Sequence, residues 1–286
     1  MQEESQEETH RGVILISNRA LGRAMSSLVY LVGPAGCGKS TLASVLSDVM
    51  ESSGMKTITV NLDPGAEWLP YTPDIDIRKY VSLREVMKEF KLGPNGGLIV
   101  AVDLMVDHLP RLRQLIESWN VDYVLIDTPG QMELFAYRKT GPAVIEELGR
   151  DKSSALLFLV DAFFAKRASS FVSILMLASS VLARFRVPQI NVLTKTDLLS
   201  EKELETAAGW IERKDLLLEA ILAEPHPIDR ESATAMLEVL ERIGFAGELM
   251  PVSAVENQGI LELVSGIERV FSAETKLDLG EEADKF

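Results

Sequence analysis

The chain has 286 residues, 47% of them hydrophobic and 25% charged, an ordinary globular composition with length enough for one large domain or two small ones. A formal net charge of -14 excludes a broad basic surface of the kind that coats nucleic acid or anionic membrane, so neither is expected as a partner. The single cysteine, Cys37, rules out an internal disulfide and fits a reducing, cytoplasmic setting.

Residues 1–24 begin MQEESQEETH, acidic where an export signal is basic, and are expected to form a loose, disordered extension. LVYLV (28–32) has the apolar run of a strand buried on both faces. A glycine-rich loop follows, then a helix predicted from about Ser40 to Ser53 with Gly54 as its C-cap. KTITVNL (56–62) is a second strand, and DPGAEWLPYTPDIDI (63–77) is too irregular for either period. Ser82 with Glu85 predicts a capping box opening a short helix. Gly93-Pro94-Asn95-Gly96-Gly97 then supplies more punctuation than a plain turn requires. Beyond it, Leu98, Val102, Met105, Leu109, Leu112, Leu115 and Trp119 recur at helical spacing.

VDYVLID (121–127), ALLFLVD (155–161), QINVLTK (189–195) and ELMPVS (248–253) bring the predicted strands to six. The apolar run from about Phe171 to Ala183 is too short for a hydrocarbon layer of ~30 Å and is expected to be a buried helix. Residues 200–246 hold two or three amphipathic helices broken at PHP (225–227), a helical insertion within one domain at 25–272; residues 273–286 are expected as a charged tail. Helices between strands throughout predict an α/β fold, a mostly parallel sheet with helices on both faces.

GPAGCGKST (33–41) fits the phosphate-loop pattern, with Gly33, Gly38, Lys39 and Ser40 in register, and assigns nucleotide contacts to Gly36, Cys37, Gly38, Lys39, Ser40 and Thr41. Backbone N–H groups surround a β-phosphate there, Lys39 bridges β- and γ-phosphates, and the Ser40 hydroxyl ligates Mg²⁺. A chance glycine turn is the competing reading, but the loop lies between a buried strand and a helix, as phosphate binding demands. In YVLIDTPGQME (123–133) a buried strand delivers Asp127 to the sheet edge, where a carboxylate supports the Mg²⁺ water shell. Gly130 lets the backbone approach a γ-phosphate, and Gln131 and Glu133 follow where an attacking water is oriented. LTKTD (193–197) places Asp197 to accept both N1–H and N2–H of guanine, with the Lys195 stem against the base; a helix N-cap at Asp197 is the alternative. PVSA (251–254) offers Ser253 and Ala254 as support for the base loop. Asp63 is the remaining carboxylate expected to face the phosphates, whereas Asp74 is expected to solvate a loop, and Trp68, Tyr71 and the three histidines carry no catalytic role.

Together these segments resemble the GPN-loop GTPase family, from about Ser27 to Phe271, through GPAGCGKST, NLDPGAEWLPYTPDIDIR, GPNGG, DTPGQME, FVSILMLASSVLARFRVPQINVLTKTDLL and PVSA. The resemblance implies a P-loop NTPase fold with a helical insertion, GTP and GDP as ligands with Mg²⁺, and hydrolysis by a constitutive homodimer. It implies that the loop of Gly93, Pro94 and Asn95 reaches across the dimer, the asparagine near the partner's γ-phosphate. Catalytic roles fall on Asp63, Asn95, Asp127, Gln131 and Glu133, and metal-supporting roles on Ser40 and Asp127. Thr194 stands where family members often have Asn or Ser, and its hydroxyl can still tie the base loop to the phosphate loop. The chain is similar to the short, archaeal-type form, and the family's link to RNA polymerase assembly implies a client protein. A P-loop small-molecule kinase and a nucleotide-stabilised scaffold with little turnover are the competing classes.

Overall fold

Residues alternate between two apolar layers along β1 (Ser27–Val32): Leu28, Tyr30 and Val32 enter one buried cluster, Val29 and Leu31 the other. A strand buried on both sides needs cover on both sides, and the computed structural model, which describes residues 26–245 and 249–283, supplies it. Seven strands form one sheet in the order β3-β2-β4-β1-β5-β6-β7, every pairing parallel. They are β1, β2 (Thr57–Asn61), β3 (Ile75–Asp76), β4 (Tyr123–Asp127), β5 (Ser154–Asp161), β6 (Gln189–Thr194) and β7 (Leu249–Pro251).

Helices α1 (Lys39–Ser52) and α11 (Ile260–Ala283) cover the Val29 face through Leu42, Leu46, Met50, Leu263, Ile267 and Phe271. The other face carries α2 (Leu83–Glu89), α3 (Pro94–Met105), α4 (Leu109–Ser118), the short α5 (Met132–Ala136), α6 (Thr140–Leu148) and α7 (Ala168–Phe185). α7 is long and apolar enough to cross a membrane by length and composition alone, and half of that window is buried within the fold.

The segment 200–246 forms α8 (Glu201–Glu212), α9 (Lys214–Leu222) and α10 (Pro227–Arg242). Trp210 of α8 meets Phe171 of α7 with ring centroids 5.5 Å apart. Arg167 holds Glu224 and Asp229, each at 2.9 Å, and the backbone N–H and hydroxyl of Ser169 donate to Glu224. The inserted helices therefore extend the main core instead of building a second one.

Four sequence expectations change. The irregular stretch contains β3, whose pairing shows no periodicity because side chains do much of the fastening: Asp74 accepts from the N–H and hydroxyl of Thr59, and Asn61 donates to Asp76. Asp74 is thus a structural acceptor, not a loop-solvating group. Ser82 occupies the N-cap of α2 but makes no side-chain cap; the box forms at Ser200 and Glu203, opening α8. The apolar stripe from Leu98 divides into α3 and α4 around a 3₁₀ turn, since Pro110, near the start of α4, has no N–H to continue a helix. Finally, α11 runs to Ala283, into the segment expected as a tail, while the expected extension at 1–24 lies outside the described residues.

The glycine-rich punctuation is also reassigned. Gly93 is the N-cap of α3 and Pro94 its first residue, so Asn95, Gly96 and Gly97 lie in the first turn of a helix rather than in a loop. Gly97 has an internal reason: a Cβ there would collide with the Met87 side chain, so α3 can approach α2 only without one. Asn95 remains exposed.

Candidate functional site

The loops after β1, β4, β5, β6 and β7 emerge at the carboxyl ends of parallel strands, where open α/β sheets place their ligands. The central loop, 33–38, needs left-handed backbone at Gly36 (φ 76°) and Gly38 (φ 93°), conformations strained for any residue with a Cβ. Gly38 then caps α1, so the first N–H groups of that helix open toward the loop. Lys39 is buried, its ammonium donating to the carbonyls of Gly33 (2.9 Å) and Pro34 (3.2 Å). Ser40 is half-buried, and Thr41 is exposed. Cys37 is 1% exposed, and burial pushes its thiol up, so it packs as a small apolar residue.

Asp127 ends β4 and is 1% exposed. Burial pushes its carboxyl up to about 6, against the opposing pull of Ser40, Lys39 and Tyr71, and nearby Asp63 adds to the rise. Tyr71 donates its phenolic proton to Asp127 Oδ2 at 3.1 Å, whereas Oδ1 is buried with no hydrogen-bond partner. Burial and the Asp127 charge push the Tyr71 phenol far above its ordinary range, so it remains a donor at neutral pH. Tyr71, expected to carry no catalytic role, thus reaches the site as a hydrogen-bond donor to Asp127.

Asp63 follows β2, and both its oxygens are engaged: Oδ1 accepts from Gly65 N–H at 2.8 Å and Oδ2 from Gly130 N–H at 2.9 Å. Asp63 and Gly130 are therefore joined before any nucleotide contact. Asp76 serves this region indirectly, holding Asn61 and a bidentate Arg78. Gln131 is the N-cap of α5, and Glu133 is exposed in its first turn. Leu98, one turn along α3 from Asn95, lies against Gly65, where a Cβ would meet Leu98 Cδ1 at 2.8 Å.

At the base end, Thr194 donates to the carbonyls of Cys37 (2.8 Å) and Val160 (3.2 Å), the tie between base loop and phosphate loop anticipated for its hydroxyl. Lys195 is left-handed (φ 60°), and its ammonium lies 2.6 Å from Asp161 Oδ2. Asp161 was missed in the sequence; the signal was available, since ALLFLVD ends in a carboxylate as YVLID does. Asp197 is not an N-cap: it sits inside a 3₁₀ turn, its Oδ1 accepting from the buried Ser253 hydroxyl at 2.6 Å. Among the described residues no other group bonds Asp197, so Oδ2 is open to a ligand's N–H. The Ser253 loop is closed by a pair of 3.0 Å backbone bonds with Gln258, which also positions Ala254.

The buried, partly unsatisfied Asp127 beside Ser40 suits a small hard cation that brings its own water. Mg²⁺ is typically held by one or two carboxylates plus substrate phosphates.

Asp127 also gives a stability prediction for the chain free of nucleotide and metal. Its folded carboxyl keeps its proton up to about pH 6 while the unfolded one loses it near 3.8, so the folded state binds more protons between those values. Stability therefore falls as pH rises through that window, by about 3 kcal/mol for a two-unit shift. In urea titrations Asp127→Asn should gain on the parent chain by about 2 kcal/mol between pH 4 and 7. A difference independent of pH would contradict the protonation assignment.

Fold and phosphate loop together define a P-loop nucleotide-binding protein. A family model described as "Conserved hypothetical ATP binding protein" matches residues 31–273. The GPN-loop GTPase 3 of Kluyveromyces lactis is 32% identical over 246 residues, which cover 85% of this chain and 90% of that protein. The GPN-loop GTPase 1 of Dictyostelium discoideum is 30% identical over 241 residues, with 84% of this chain matching 60% of that one. The crystal structure of a GTPase from Pyrococcus abyssi in its apo form superposes with a TM-score of 0.76 at 30% identity, covering 87% of this chain and 98% of the other. The chain belongs to the GPN-loop GTPase family.

Proposed function

We propose that this GTPase hydrolyses GTP to GDP and phosphate as a Mg²⁺-dependent homodimeric switch that remodels or assembles a client protein in the cytoplasm. The observation that carries the dimeric reading is Asn95. It opens α3 exposed and, among the described residues, without a hydrogen bond, while Gly97 of the same turn is used inside the chain. An exposed amide donor on a helix whose Leu98 packs against Gly65, two residues after Asp63, suits a γ-phosphate in a second copy. Within each site Lys39 supplies positive charge to the phosphates, N–H groups at the start of α1 cradle them, and Asp197 reads the base. Ser40 and Asp127 would hold the Mg²⁺, which when bound neutralises charge developing on the phosphates. Gln131, Glu133 and Asp63 surround the strand end from which a water is oriented.

Mixing two inactive variants tests the trans role. Asn95→Ala should bind GTP normally and turn over slowly; Lys39→Ala should fail at its own phosphate loop while still offering an intact Asn95. Co-expressed with different tags and purified as a heterodimer, the pair contains one complete site. Phosphate release should return to about half the parent rate per dimer, as one working site in two requires. Persistent inactivity in a proven heterodimer would refute Asn95 acting in trans.

A further inference from the structure

We infer that Tyr71 is a positioning residue for the divalent cation, fixing Asp127 so that one carboxylate oxygen is reserved for the metal's water shell. The inference rests on the Mg²⁺ reading above and names a residue of that site. A carboxylate turns about a broad, two-fold torsion, and its two oxygens are equivalent until something distinguishes them. Here the Tyr71 hydroxyl takes Oδ2 at 3.1 Å, and Oδ1 is left buried without a partner. An unpaired buried anionic oxygen is costly, and such groups in native proteins mark a place where a ligand or ion completes the set.

The tyrosine is itself held firmly. It is partly buried and packs against the apolar cluster to which α1 contributes Leu42, Leu46 and Met50. The chain on either side is anchored. Arg78 donates to the Ala66 carbonyl at 2.8 Å while bonding Asp76, and Asp74 accepts from the Thr59 N–H at 2.8 Å. Tyr71 thus lies on a strap fastened at 66 and 74. Its hydroxyl reaches the metal-supporting carboxylate from the side opposite in sequence, 56 residues away. A phenylalanine would keep the ring packing and lose only the donor, freeing Asp127 to turn and leaving Oδ2 unpaired as well.

The test uses the full chain loaded with a fluorescent GDP, following its release across a Mg²⁺ titration and in EDTA. For the unaltered chain Mg²⁺ should slow release. For Tyr71→Phe the Mg²⁺ concentration giving half the effect should rise about tenfold, the scale at which outer partners of metal ligands act. Release in EDTA should change far less than release at intermediate Mg²⁺, and the melting temperature in EDTA should fall, because the packing is retained while the buried Oδ2 loses its donor. An unchanged midpoint would overturn the proposal, and so would release that accelerates equally with and without Mg²⁺, the mark of a merely loosened strap. If Mg²⁺ has no effect on the unaltered chain, the Mg²⁺ reading itself fails and Tyr71 loses its role with it, a result distinct from a shift confined to the variant.

Discussion

Replacing Asp197 by asparagine is expected to turn the site from guanine toward xanthine nucleotides, lowering the GTP-over-XTP preference by about 10³-fold or more, as when a site built for a hydrogen-bonding group loses it. The carboxylate offers only acceptors, which match the N1–H and N2–H of guanine. An amide presents one acceptor and one donor, and xanthine's O2 answers the donor. The substitution isolates the base contact because the loop's own fastening survives it. Ser253 donates to Asp197 Oδ1 at 2.6 Å and can donate equally to an amide oxygen, while the Thr194 tie to Cys37 does not involve Asp197. Adenine lacks the donor pair, so ATP should compete poorly with both the parent and the variant. Displacement of a labelled GDP by GTP, XTP and ATP gives the ranking directly. A variant with the parent's ranking, or a parent that takes ATP and GTP alike, would remove Asp197 from base recognition.

What could be read in the sequence follows from where the physics is local. Strands buried on both faces show as unbroken apolar runs, and six of the seven were visible for that reason, with ends shifted by a residue or two. The phosphate loop, the Asp127 strand end and the Thr194–Asp197 motif were legible because each fixes backbone geometry and chemistry within a few residues. β3 was not, since two residues carry no period and its alignment depends on Asp74 and Asn61 reaching across to other segments. Tyr71 was missed for the same cause: its role is a contact with Asp127, 56 residues distant. The capping box shows the reverse error. Ser82 and Glu85 have the spacing, yet the bonds form at Ser200 and Glu203, because spacing permits a cap that the entering backbone must still orient. Gly97 looked like loop chemistry and is helix packing, a distinction invisible until Met87 is placed beside it.

Asp63→Ala is expected to separate GTP binding from turnover. In this structure the Asp63 carboxylate occupies the Gly130 N–H at 2.9 Å, the donor that a γ-phosphate would take, so phosphate and carboxylate compete for one hydrogen. Both are anionic, so arrival of the phosphate is expected to displace Asp63. GDP, lacking that group, leaves the contact intact. Removing the carboxylate therefore favours GTP selectively, raising the GTP:GDP affinity ratio by about tenfold if the broken bond to a charged acceptor is worth about 1.5 kcal/mol net. Turnover should move the other way, falling on the order of 10²- to 10³-fold, the usual loss when one transition-state contact disappears. A carboxylate displaced in this way would be free to accept from a water only in the triphosphate state, which is why turnover is expected to depend on it. The same displacement would free Gly65, which Asp63 Oδ1 holds at 2.8 Å and which lies against Leu98 of the helix bearing Asn95. Competition binding with GTP and GDP, together with single-turnover phosphate release, measures both quantities. Asp63→Asn keeps one acceptor and should give a smaller change in the affinity ratio with an equally low rate. If Asp63→Ala weakens GTP and GDP alike, the residue is a structural brace; if its turnover matches the parent, it has no part in the chemistry.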